Sequence, residues 1–253
     1  MIDLSVHIER MKDHIEADEL VCGTGFEDGK GCFIGCTFDR YNHEHAAKTT
    51  GVPEWLWYLA DELHENMSRS VDRGDMAMKL LRGFEQCEDF ASLERAIHIY
   101  IQRQNIERVT ALDIDAALKS DVLAAIDAVI SCHAAALPFD APEWVAAAAA
   151  AQVSVTAESW SAEGSAAAAA RSAAAAAEWS AEWSAAEKWS AEWSAAARSA
   201  AAAEGPSPEK WPKKWPAAAA EWSAAEAATY DDIGKELLRL LGVDGPALLL
   251  PVA

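Results

Sequence analysis

Apolar residues along the first half of the chain recur every three or four positions, the spacing of a helix with one buried face. Leu4, Ile8, Met11 and Ile15 predict a helix within the first twenty residues. A second starts at Gly51-Val52-Pro53, where a proline near the first turn loses no hydrogen bond, and carries the stripe Trp55, Leu56, Leu59 and Leu63. A third is expected from Met76 to Cys87. In the next, Ser92 is the expected cap and Leu93, Ile97 and Ile101 line the core face. A longer helix from about Asp113 to Leu137 places Leu118, Val122, Ile126, Val129 and Ile130 inside. No stretch alternates apolar and polar residues as a half-buried strand does, so the pattern predicts an all-α fold. The interruption is CGTGFEDGKGCFIGCTF, residues 22–38. Five of the thirteen glycines lie between Gly23 and Gly35, and Glu27-Asp28-Gly29 marks a turn. One short hairpin fits there, and Lys30 to Phe38 reads as either a short helix or a strand.

The pattern changes after Leu137-Pro138. About half of the residues from Val145 to Glu204 are alanine, the strongest intrinsic helix former. WSAEWSAAEK at 179–188 is followed by WSAEWSAAAR at 189–198, a ten-residue repeat. On a helix, Trp179, Trp183, Trp189 and Trp193 fall within an arc of about 120°, opposite Ala173, Ala177, Ala181, Ala185 and Ala195. GPSPEKWPKKWP, residues 205–216, contains four prolines and is expected to break the helix. A short alanine helix should follow from Pro216. A last amphipathic helix, Tyr230 to Leu241, carries Ile233, Leu237, Leu240 and Leu241, with Gly242 past its end. The expected organisation is an acidic, compact helical domain over 1–140 and a hairpin-like Ala/Ser/Trp-rich helical array over 141–253.

Charge narrows the partners. The chain carries a net −20, with 27 acids and 13 bases before Val145 and 14 acids and 8 bases from there on. Such a surface repels phosphate backbones, so direct nucleic-acid binding is not expected; the charge serves either plain solubility or attraction of a basic protein partner. The N-terminus has no apolar signal core, and no run approaches 18 strongly apolar residues, which argues against a membrane segment. Five cysteines without disulfide-like spacing suit a reducing cytoplasm.

GKGCFIGC, residues 29–36, is the main candidate for chemistry. In one reading Cys32, Cys36, His43 and His45 supply two thiolates and two imidazoles to a tetrahedral zinc ion. In a second, Lys30 lowers the pKa of a reactive thiol. In a third, the cysteines are small buried residues beside glycines that allow close packing. Gly29, Lys30 and Gly31 form an anion-holding or close-packing loop. A Walker phosphate loop is excluded by Thr24 and Gly31, a dinucleotide fingerprint by Asp28. His64, beside Asp61, Glu62 and Glu65, reads as a solvated helix face. His98 reads as a satisfied or half-exposed histidine, and Cys132-His133 as a weak candidate for a thiol–imidazole pair. The tryptophan stripe, with Glu178, Glu182 and Glu192 among its rings, suits packing, protein contact or self-association rather than base stacking.

FEDGKGCFIGCTF, GVPEWLWYLADELHENM and the distal Ala-Ser-Trp array together resemble a recurrent family of uncharacterised bacterial and phage-encoded proteins. The resemblance spans Cys22 to about Met67 and about Ser154 to Leu241. It implies a bacterial or phage setting and no particular activity. With no intact catalytic motif, the expected function is that of a non-enzymatic acidic interaction protein, an inhibitor of a basic nucleic-acid-handling partner. The alternatives are a metal- or thiol-dependent enzyme at GKGCFIGC and a structural protein that self-assembles through its tryptophan face.

Overall fold

The computed structural model describes residues 2–68, 71–138, 141–153 and 211–243, with side chains of the last segment from Ala224 onward. Helices make up 73% of this part and strands 3%, which establishes the all-α fold. The elements are α1 (Ser5–Glu16), a two-stranded antiparallel hairpin of β1 (Phe26–Glu27) and β2 (Lys30–Gly31), α2 (Phe33–Phe38), α3 (His43–Thr50), α4 (Glu54–Asn66), α5 (Arg73–Gln86), α6 (Phe90–Ala111), α7 (Ala116–Ala134), α8 (Pro142–Val153) and α9 (Trp211–Leu240). None is long and apolar enough to cross a membrane among the described residues.

Two compact units divide the chain: Met1–Glu65, Arg69–Leu93 and Asp232–Ala253 in the first, Asn66–Ser68 and Glu94–Asp231 in the second. In the first, α1 packs on α5 and α2, and α2 on β2 and α3. Trp57 centres its core, fully buried, with Phe38 and Phe84 edge-on at 5.1 and 5.3 Å between ring centroids. Such aromatic contacts add about 0.5–1.5 kcal/mol each beyond the area they bury. Gly83 of α5 lets Leu241 approach, since a Cβ there would lie 2.8 Å from Leu241 Cδ1. In the second unit, α8 packs on α7. Val122, Ile126 and Val129 share one cluster with Trp144, Ala147 and Ala151. The composition change near 140, expected as a domain boundary, therefore lies inside this unit.

Local chemistry explains most element ends. Asp28 (φ 50°) and Gly29 (φ 80°) make the hairpin turn with two left-handed residues, the conformation that matches strand twist. Asn42 caps α3 by accepting from His45 N at 2.7 Å, and Gly51 (φ 79°) closes it. The apolar periodicity gave no sign of α3, which is short and buries only His43 and Ala46. For α6 the cap is Asp89 rather than the expected Ser92: its carboxylate accepts from Ser92 N at 2.9 Å, and Ser92 lies inside the first turn. Of the expected break at 205–216, residues 205–210 lie outside the described residues and 211–216 are helical. α9 begins at Trp211 and runs unbroken past Tyr230 to Leu240. Pro212 falls in the first turn, where its missing N–H has no intrahelical partner to lose.

Candidate functional site

The hairpin and the start of α2 are built by close backbone approach. A Cβ on Gly35 would lie 1.9 Å from Gly25 O, and one on Gly31 2.5 Å from the same atom. Only glycine fits either position. The fold thus brings Thr24 O and Gly25 O to Cys32 N at 3.0 and 3.2 Å, fixing Cys32 at the head of α2. At the other end of α2, Arg10 donates to Thr37 O at 2.9 Å and His7 Nδ1 lies 3.1 Å from the same carbonyl. Lys30 is exposed on β2.

The four residues expected to hold zinc do not gather about one point. Cys32 faces Asp61 of α4, and together with Glu65 their ligand atoms lie within 4.8 Å of one another. His43 Nε2 lies 3.3 Å from Asp61 Oδ2, with its ring stacked on Tyr58 at 3.7 Å. Cys36 turns the other way, toward Gly31 O (3.3 Å) and Glu19 O (3.7 Å). His45 lies 3.4 Å from Thr49 Oγ1, its ring edge-on to Phe38. Cys32 and His43 both meet Asp61, with Glu65 close to Cys32 and Asp61, whereas Cys36 and His45 make other contacts. The face of α4 read as solvated is buried: Asp61 is 5% and His64 3% exposed. Asp61 and Glu65 are one turn apart on that face, a spacing visible in the sequence. Their acidic neighbourhood hid it, because charge runs on helices usually face water.

The electrostatics of this centre are those of crowded acids. Burial works to raise the Asp61 pKa, but His43, the Cys32 thiol and Ile34 N–H outweigh it and hold the carboxyl below its ordinary value. Burial, then Asp61, push the Cys32 thiol far up. Tyr41 is raised by burial and by Asp61, and burial raises Glu65, whose Oε2 accepts from Gly23 N at 2.7 Å. Although Cys32 and Tyr41 stand close enough to feel the Asp61 charge, no donor meets its Oδ1 with hydrogen-bond geometry. Beside the centre, His64 Nε2 lies 3.3 Å from Val21 O and 3.7 Å from Cys22 Sγ, and burial lowers its pKa.

Burial likewise raises Cys22, Cys87 and Cys132, and takes Cys36 to about 11. In each case burial favours the thiol over the thiolate. His133 does not pair with Cys132. It stacks on His98 at 4.5 Å, with Trp144 edge-on at 4.7 Å. Trp179, Trp183, Trp189 and Trp193 lie outside the described residues.

No family model matches the chain, and comparison with curated proteins and with solved structures gives no relative.

Proposed function

We propose that the chain is a non-enzymatic acidic interaction protein that presents a helical acidic face to a basic protein partner and blocks that partner's contact with nucleic acid. The supporting observation is the outer face of α1. Glu9, Asp13 and Glu16 are exposed and, with Val6 (66% exposed), fall within an arc of about 80° at 100° per residue. None of the three acids makes an ion pair among the described residues, and Lys12 stands at the edge of the stripe. Like charges one turn apart weaken a helix by a few tenths of a kcal/mol, so the stripe works against the helix that carries it. An apolar residue beside an acidic row suits a basic, partly apolar counterpart. The raised thiols support a binding role over nucleophilic catalysis.

The test is capture of basic proteins on the immobilised chain at rising ionic strength. As the Debye length falls from about 30 Å to about 8 Å, a partner held by this face should be released, and Glu9→Lys, Asp13→Lys, Glu16→Lys together should abolish its capture at low salt. A partner held equally by the triple variant, or no basic partner at all, would sink the reading.

A further inference from the structure

Asp61 is an expensive residue to bury. Taking a carboxylate out of water costs several kcal/mol unless partners replace its hydration. At 5% exposure its Oδ1 has no hydrogen-bond partner, and its one close cationic candidate, His43 Nε2, stands 3.3 Å from Oδ2 without a well-directed bond. Beside His43 and the Ile34 N–H, two of its neighbours, Cys32 and Glu65, are themselves potential anions. Cys32, 1% exposed, is held at the head of α2 by glycines that admit no side chain. Glu65 is positioned one turn along α4, where its bond to Gly23 N occupies Oε2 and leaves Oε1. Three ligand-bearing side chains thus converge from two separately braced segments, around an Oδ1 that makes no hydrogen bond among the described residues.

We propose that Cys32 Sγ and the carboxylates of Asp61 and Glu65 form a three-ligand site for a borderline divalent metal ion, zinc in the first place, with His43 positioning Asp61. The ligand types select the class. A thiolate disfavours calcium and magnesium, which take oxygen alone, and two carboxylates disfavour copper(I), which seeks sulfur. At zinc bond lengths of about 2.0–2.3 Å, tetrahedral ligand atoms stand roughly 3.5 Å apart. The cluster's limit of 4.8 Å is then closed by side-chain adjustments of little more than an ångström. Three protein ligands leave one coordination position for water or another ligand. Binding transfers the Cys32 thiol proton to solvent, and the ion's two positive charges replace it among the carboxylates. The site does not depend on the acidic face of α1.

Cobalt(II) titration of the full chain, purified without a histidine tag, tests this, with metal analysis of the untreated protein alongside. We expect about one ion per chain with tetrahedral visible bands and a thiolate-to-cobalt charge-transfer band, both competed away by zinc. Cys32→Ser should remove the charge-transfer band, while Cys36→Ser and Cys22→Ser keep it. Asp61→Asn and Glu65→Gln should weaken binding at least tenfold. His43→Gln should weaken it about 10–100-fold while keeping the charge-transfer band, as loss of an outer partner does. Glu65→Gln keeps an acceptor for Gly23 N, so it decides the matter if Asp61→Asn fails to fold by circular dichroism. The proposal is overturned if the native chain binds neither cobalt nor zinc, if the charge-transfer band survives Cys32→Ser, or if Glu65→Gln binds as tightly as the native chain.

Discussion

Each compact unit buries imidazoles, and the two do so in opposite electrostatic settings. In the first, His43 lies against the Asp61 carboxylate at 3.3 Å, among further acids. In the second, His133 stacks on another imidazole, His98, at 4.5 Å and 12° between planes, and meets Trp144 on its edge. Burial, His98 and Arg95 push His133 down to about 2, so it is neutral at any ordinary pH. The second arrangement stacks a neutral His133 on His98, with Gln102 and Asn105 also buried on the same stripe of α6. The first concentrates charge that the protein only partly compensates. Buried polarity therefore takes two forms here: stacked rings in the second unit, and a carboxylate among further acids in the first.

The contrast rests on the glycine-built loop that delivers Cys32, and Gly35→Ala should break it most severely. The new methyl would sit 1.9 Å from Gly25 O and 3.0 Å from Gly25 C, backbone atoms that cannot swing aside. Overpacking in a dense core costs about 1–3 kcal/mol and more where nothing yields, so a loss of about 3 kcal/mol or more is expected from the first unit. Hydrogen exchange resolved by peptide checks it: protection should fall in α2 and α4 and persist in α7. Unchanged protection in α2 would mean the loop is not the rigid brace assigned to it.

Acid should separate the two histidine arrangements more gradually. The folded pKa of His133 lies below its unfolded value of 6.5, so the unfolded chain binds more protons in between and stability falls as pH drops below about 6.5. One such group contributes up to about 1.4 kcal/mol per pH unit, in a window reaching down toward 2. His64 has the same sign. Asp61 acts lower: its carboxyl is held below 3.8, and its contribution is lost only as pH falls through that lowered value. Chemical denaturation between pH 7 and 4 should therefore show a slope in α7 and α8 that His133→Phe reduces. An equal slope in both proteins would remove the buried neutral imidazole from the account.

Much of this was legible in the sequence and some was not, for physical reasons. The stripes Trp55, Leu56, Leu59, Leu63 and Val122, Ile126, Val129 are strong period-3.6 signals, and both are core. Asp28-Gly29 announced its turn through the left-handed conformations that turn demands. α3 escaped because a helix that buries two residues leaves almost no apolar period, though Asn42 and Gly51 mark its ends. Cys32 and His43 were recognised as ligand types, but the partners that join them, Asp61 and Glu65, lie about 30 residues on. Spacing along the chain cannot reveal such a meeting. It depends on how α2 meets α4, while the glycines at 31 and 35 set how closely β2 and α2 approach the Gly25 backbone.

The smallest predicted effect compares carboxylates of one unit, exposed and buried. Replacing Glu9, Asp13 and Glu16 by their amides removes three charges that water already solvates. Exposed substitutions of this kind stay within about 0.5 kcal/mol, and relief of like-charge pairs one turn apart makes a slight gain the expected sign. Asp61→Asn changes a single charge, yet that carboxylate is what His43, Cys32 and Tyr41 face. An amide would present two donors of its own to groups arranged around an acceptor. Its effect on urea unfolding of the first unit should exceed that of all three α1 substitutions together. A stabilised Asp61→Asn protein that also binds no metal in its native form would reduce the centre to an unrelieved acidic cluster. A destabilised one would show that the fold depends on the Asp61 charge, and the α1 acids would then remain as charge carried for contact with another molecule.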